Sequence, residues 1–193
     1  MTMLSRTLAR LPQVRIFLTG PALLMLTMIW MGTAGCAGAQ SDDDTSPLET
    51  RNDPITVEAG TTTSEDVESR NGAITIGENA QVGNIVNRNG AIVLQQGAQA
   101  ASIETRNGAL VLRQANTTGG IESRNGRVTI GAESTIGGAV ETRNGNVALG
   151  QETTVDGDVE TRNGSIETAE GVRIQGDVET RNGTITLSGT QVD

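Results

Sequence analysis

Apolar and polar positions alternate along most of this chain in short bursts that return on a fixed period. Arg-Asn pairs begin at Arg51, Arg70, Arg88, Arg106, Arg124, Arg143, Arg162 and Arg181, so the spacing is always 18 or 19 residues. Three residues before each Arg stands Leu48, Val67, Ile85, Ile103, Ile121, Val140, Val159 or Val178. Four residues after it stands Ile55, Ile74, Ile92, Leu110, Val128, Val147, Ile166 or Ile185, and six after it another aliphatic, with Thr168 as the exception. A third apolar position, twelve after the Arg, holds Val82, Ile136, Val155 and Ile174, with smaller or polar residues in the other copies. Within each burst the period is two, which is the signature of strands. No helical period follows residue 36.

Gly77, Gly131 and Gly150, together with Gly83, Gly138, Gly157 and Gly176, punctuate the bursts, as does the Gly of Arg-Asn-Gly. Three short strands and three bends per repeat describe one coil of a solenoid, a unit that buries its apolar side only by stacking on copies of itself. The expectation is an all-β domain over residues 48–193, a parallel β-solenoid of about 7–8 coils, right-handed because parallel crossovers take that hand. The competing reading is an antiparallel meander, since Asn-Gly between alternating segments is a strong hairpin signal. The run Val155-Asp156-Gly157-Asp158-Val159 leads straight into the next Glu-Thr-Arg-Asn-Gly and leaves no simple return loop. Glu104 and Glu122 decide between the two, being neighbours on adjacent coils only in the solenoid.

Stacking turns each repeat position into a row. Glu104, Glu122, Glu141, Glu160 and Glu179 form an outward carboxylate row, with Val86 interrupting its earlier part; Arg70, Arg88, Arg106, Arg124, Arg143, Arg162 and Arg181 form a guanidinium row beside it. Like charges one strand apart repel by roughly 1 kcal/mol in water, and the opposite row offsets this. The two rows are a candidate interaction face for a repetitive polymer such as polysaccharide or peptidoglycan. Asn52, Asn71, Asn89, Asn107, Asn125, Asn144, Asn163 and Asn182 form an unbroken row suited to a structural amide ladder, and Asn tolerates left-handed backbone at a tight corner. At the ends, Pro54 in Arg51-Asn52-Asp53-Pro54 is expected to blunt the first coil, because proline cannot donate to a ladder. Only Ser188–Asp193 follow the last strong strand, which leaves an open edge that invites head-to-tail self-association.

Composition narrows the function. Phe17, Trp30 and all five Met precede Cys36, so the rest of the chain has only aliphatics to bury. After Cys36 there are 11 Arg (14 less Arg6, Arg10 and Arg15) against 23 acidic residues, a formal charge of 11 − 23 = −12. Phosphate backbones require basic surface, so nucleic acid is excluded as a partner. The chain has no His, which removes Ser-His-Asp triads, His-ligated metals and the histidine base of hexapeptide-repeat acyltransferases. The long inter-coil loops on which β-helical lyases build a cleft do not fit a period that varies by one residue. Asp156 and Asp158 lie outside any regular calcium nonapeptide, and no Thr-x-Thr face of the ice-binding kind is present. No catalytic residue, cofactor or metal is expected; the chain reads as a non-enzyme.

The first 35 residues carry three Arg and no acid, then an apolar stretch over Phe17–Trp30, the plan of a secretory signal. Thr33-Ala34-Gly35-Cys36 resembles the bacterial lipobox. That resemblance implies cleavage before Cys36, acylation of this sole cysteine and anchoring to a membrane; Ala37 in the following position implies the outer membrane of the cell envelope. An uncleaved transmembrane helix over Ile16–Gly35 is the alternative. Residues 36–47 then read as the lipidated Cys and a small, acidic, flexible tether. The stretch Ile130-Gly-Ala-Glu-Ser-Thr-Ile136-Gly-Gly138-Ala-Val140 resembles the coils of bactofilins, which form polymers, and the Glu-Thr-Arg-Asn-Gly-x-Ile-x-Leu units resemble adhesin-type β-solenoid domains of bacterial envelope proteins. Together they imply a structural or adhesive lipoprotein; a non-polymerising module that binds cell-wall or surface polysaccharide is the alternative.

Overall fold

A computed structural model describes residues 47–193. Cys36, the signal over 1–35 and nearly all of the 36–47 tether lie outside the described residues. From Leu48 onward the chain is wholly β, with strands of two or three residues and no helix. The strands fall into three parallel sheets running the length of a solenoid of eight coils. The first face contains the Val-Glu-Thr strands, eight of them from Leu48–Thr50 to Val178–Thr180. The second contains eight from Ile55–Val57 to Ile185–Thr186. The third has six, from Gln99–Ala100 to Gln191–Val192, and the bridges Thr62↔Gln81 and Gln81↔Gln99 extend it towards the N-terminal coils.

Every pairing joins a strand to its counterpart one coil away. Glu122 lies between Glu104 and Glu141, and Ile121 between Ile103 and Val140. All ladders are parallel, so the meander is excluded. Period-two alternation makes this register possible: in Ile103–Thr105 the outer two residues are buried and Glu104 is exposed, and the second-face strand Leu110–Leu112 repeats that phase. A one-residue slip would turn each carboxylate into the core.

The core is one continuous cluster of aliphatics from Ile55 to Ile174, closed without an aromatic. Part of it is a fourth inward column that the apolar pattern did not reveal, formed by Thr61, Ala80, Ala98, Ala115, Ser134, Thr153 and Val172. These residues turn in just after the second corner, and all but Val172 are Ala, Ser or Thr. Two of them satisfy their hydroxyls internally: Ser134 Oγ accepts from the Ala115 N–H at 3.2 Å and Thr153 Oγ1 donates to Gly131 O at 3.1 Å.

The one-residue variation in the period is confined to corners. From the third-face core residue to the next first-face residue is four positions at Ile136–Val140 and three at Ala100–Ile103. In the coil that begins at Arg106 the missing residue lies instead before the second corner, which moves the inward Thr117 to eleven positions after the Arg. Strand pairing is thereby unaffected.

The corners also assign different work to Asn and Gly from that expected. The left-handed residues are not those of Arg-Asn-Gly. They lie at the second corner and are Gly60, Asn79, Gly97, Gln114, Glu133, Glu152, Gly171 and Gly189, with φ between 50° and 75°. At Arg-Asn-Gly the glycine is needed for a different reason: a Cβ on Gly126 would lie 1.8 Å from Gly108 O, and one on Gly145 would lie 1.9 Å from Gly126 O. Successive corners stack backbone on backbone. The inward hydroxyl two residues before the Asn braces that corner, with the Gly72 N–H donating to Ser69 Oγ at 3.0 Å and the Gly145 N–H to Thr142 Oγ1 at 3.2 Å.

Candidate interaction surfaces

Three features of the rod could meet another molecule: the charged first face, the Asn corner beside it, and the ends. On the first face, Glu and Arg flank each inward Thr or Ser, so the stacked coils form two ridges with a trough between them. From Glu104 to Arg181 the trough has a volume of about 510 Å³, and Glu104, Glu122, Glu141, Glu160, Glu179, Arg106, Arg124, Arg143, Arg162 and Arg181 all line it. A smaller trough of about 230 Å³ covers the N-terminal coils, where Arg70 and Arg88 contribute and Val86 with Asn87 replaces the Glu-Thr pair. The face is shallow and open along its length, a shape that suits an extended ligand.

The two rows do not neutralise each other evenly. The Glu160 carboxyl is raised from its ordinary value, by desolvation first and then by the negative charges of Glu141, Glu179, Asp158 and Asp177. The parallel Arg row does not reverse that sign. Around Glu160, Asp158 and Asp177 at the preceding corner add to the carboxylates of the strand.

On the Asn corner, each side chain is joined to the next. Asn71 Nδ2 donates to Asn52 Oδ1 at 2.7 Å, and the same bond links Asn89 to Asn71, Asn107 to Asn89 and Asn125 to Asn107 at 2.7 Å. It continues from Asn144 to Asn125 at 2.6 Å, from Asn163 to Asn144 at 2.7 Å and from Asn182 to Asn163 at 2.8 Å. The ladder lies on the surface, and it is directional: donors point towards the N-terminal coil and acceptors towards the C-terminal one. Among the described residues, Asn182 Oδ1 accepts no ladder bond.

The ends differ. In the last coil Ile185, Leu187 and Val192 are 41–43% exposed, whereas Ile166 and Ile174, one coil earlier, are 0% and 1% exposed. At the other end Ile55 and Val57 remain buried. Pro54 does not blunt that end by withholding a donor. In each following coil the residue at its position gives the ladder a carbonyl, as when the Ile55 N–H donates to Ala73 O and the Ile74 N–H to Ala91 O, both at 2.9 Å. Proline keeps its carbonyl, so no ladder bond is lost.

Comparison with protein-family models, with curated proteins and with solved structures gives no match. The fold and the surfaces above are therefore what a functional reading has to rest on.

Proposed function

We propose that this chain is an exported lipoprotein, acylated on Cys36, whose solenoid serves a structural or adhesive role at the bacterial envelope and associates end to end with copies of itself. The observation that carries the reading is the bare C-terminal cross-section. Three aliphatics exposed by about two-fifths at the end of an otherwise sealed core, beside the unpaired edges of three sheets, form a surface that strand addition would cover. The polymer-forming role implied by the bactofilin-like coils and the adhesive role implied by the repeat units both fit a rod displayed on a tether. On this reading Cys36 holds the chain to the outer membrane, and residues 37–47 let the rod stand clear of it.

A second reading, favoured by the long trough between the Glu and Arg ridges, is a non-polymerising module that lays a polysaccharide or peptidoglycan strand along the first face. Sedimentation and negative-stain microscopy of the chain from residue 37 onward separate the two. The first reading predicts concentration-dependent rods longer than one molecule, lost in Leu187→Glu. A monomer at every concentration that retains labelled glycan supports the second, and a monomer that retains none contradicts both. Incorporation of labelled palmitate, abolished by Cys36→Ser, tests the anchor.

A further inference from the structure

The sequence presents seven Asn-Gly pairs that look chemically alike, and the fold makes one of them different. Asn-Gly is the dipeptide most prone to spontaneous deamidation, because glycine leaves its own N–H unshielded. The backbone nitrogen of the Gly attacks Cγ of the Asn side chain, forming a new C–N bond. The bond from Cγ to Nδ2 breaks, and Nδ2 leaves as ammonia with the proton from the Gly nitrogen. One water then opens the resulting succinimide at either carbonyl, giving aspartyl or isoaspartyl. The reaction needs no catalyst, but the side chain must swing round onto the following nitrogen.

In the folded rod that swing is resisted unequally. The asparagines from Asn71 to Asn163 that precede a Gly each hold two ladder bonds, one donated and one accepted. Their glycines are buried, each covered by the corner of the coil above, as Gly183 covers Gly164 with a hypothetical Cβ 1.9 Å from its carbonyl oxygen. The Arg–Asn peptide is held alike at the two sites, with the Asn163 N–H donating to Arg143 O and the Asn182 N–H to Arg162 O, both at 2.9 Å, so the difference lies in the side chain and the glycine. Asn182 keeps only the single bond to Asn163, and Gly183 is exposed with no coil upon it.

We infer that Asn182 is a site of spontaneous deamidation and that the amide ladder protects the other six. The product places a carboxylate at the open end of the rod, where the last acceptor of the ladder had been a neutral amide. This inference does not depend on self-association, and the test separates the two. The full chain is incubated at mildly alkaline pH, at a dilution where sedimentation shows single particles, and amide-to-acid conversion is followed at each Asn-Gly by peptide mass mapping. A urea-unfolded sample provides the intrinsic rates. The expected result is near-equal conversion of all seven sites in urea and, in the folded chain, conversion at Asn182 faster than at the other six by roughly fivefold, the factor that about 1 kcal/mol for one hydrogen bond is worth. Equal rates across the seven sites of the folded chain, or an Asn182 that reacts no faster than Asn125, overturn the inference.

Discussion

Thr105 and Thr142 occupy the same inward column and differ in one hydrogen bond. Thr142 Oγ1 accepts from the Gly145 N–H, while the buried Thr105 hydroxyl has no partner among the described residues. Thr142→Val is therefore expected to destabilise the rod by about 1 kcal/mol, and Thr105→Val to be neutral or to stabilise it by up to about 1 kcal/mol. Urea unfolding of the two variants reads the difference, and equal losses would show that the hydroxyl column is not bonded as described. Gly126→Ala is a harsher change: its Cβ would meet Gly108 O at 1.8 Å, backbone against backbone, and about 4 kcal/mol or more should be lost. The equivalent change at Gly97 would bring its Cβ to 2.2 Å from Asn79 Oδ1, a side-chain atom rather than backbone, and its φ of 72° adds backbone strain. Both glycines are visible in the sequence, but their reasons are not. Asn-Gly suggests a left-handed turn to any local reading; only when coil is laid on coil does the collision with the preceding carbonyl emerge.

For the strands, position along the rod decides what a side chain is worth. Ile174→Ala empties a fully enclosed site and should cost about 3 kcal/mol, whereas Ile185→Ala, at 41% exposure on the last coil, should cost less than about 1 kcal/mol. The carboxylate row makes a prediction in pH. A carboxyl raised in the fold binds more protons folded than unfolded, so Glu160 favours the fold below its ordinary pKa and opposes it as pH rises through the raised one. Glu160→Gln should accordingly raise the thermal midpoint near neutrality, leave it unchanged in acid, and lose only the part of its effect that comes from neighbouring carboxylates as salt screens the row. A midpoint gain of equal size in acid and at neutrality would contradict this. The strands themselves were legible because Val, Ile and Leu recur with period two at fixed distances from each Arg. The fourth inward column was not, because Ala98, Ser134 and Thr153 carry little hydrophobic signal and are buried by their place after the corner.

For the whole molecule, repetition made the architecture readable and kept the function obscure. Eight copies of one motif specify a rod, and that rod exposes the same few side chains many times, as in the repeating Glu, Thr and Arg of the trough. The last coil is the exception: the apolar surface left bare at Ile185, Leu187 and Val192 was not legible in the repeat pattern and came from the packed structure. The amide ladder, the charged trough, the bare end and the singular chemistry of Asn182 all require that the repeats stack in parallel and in register. Disulfide trapping tests that most directly. In a Cys36→Ser background, Glu104→Cys with Glu122→Cys places thiols on paired residues one strand spacing apart, about 4.8 Å, within bridging range. Glu104→Cys with Glu141→Cys places them two coils apart, roughly 10 Å, beyond it. Mild oxidation should yield an intramolecular disulfide in the first pair and none in the second. Failure of the first pair to close, or equal closure of both, would contradict the stacked rod.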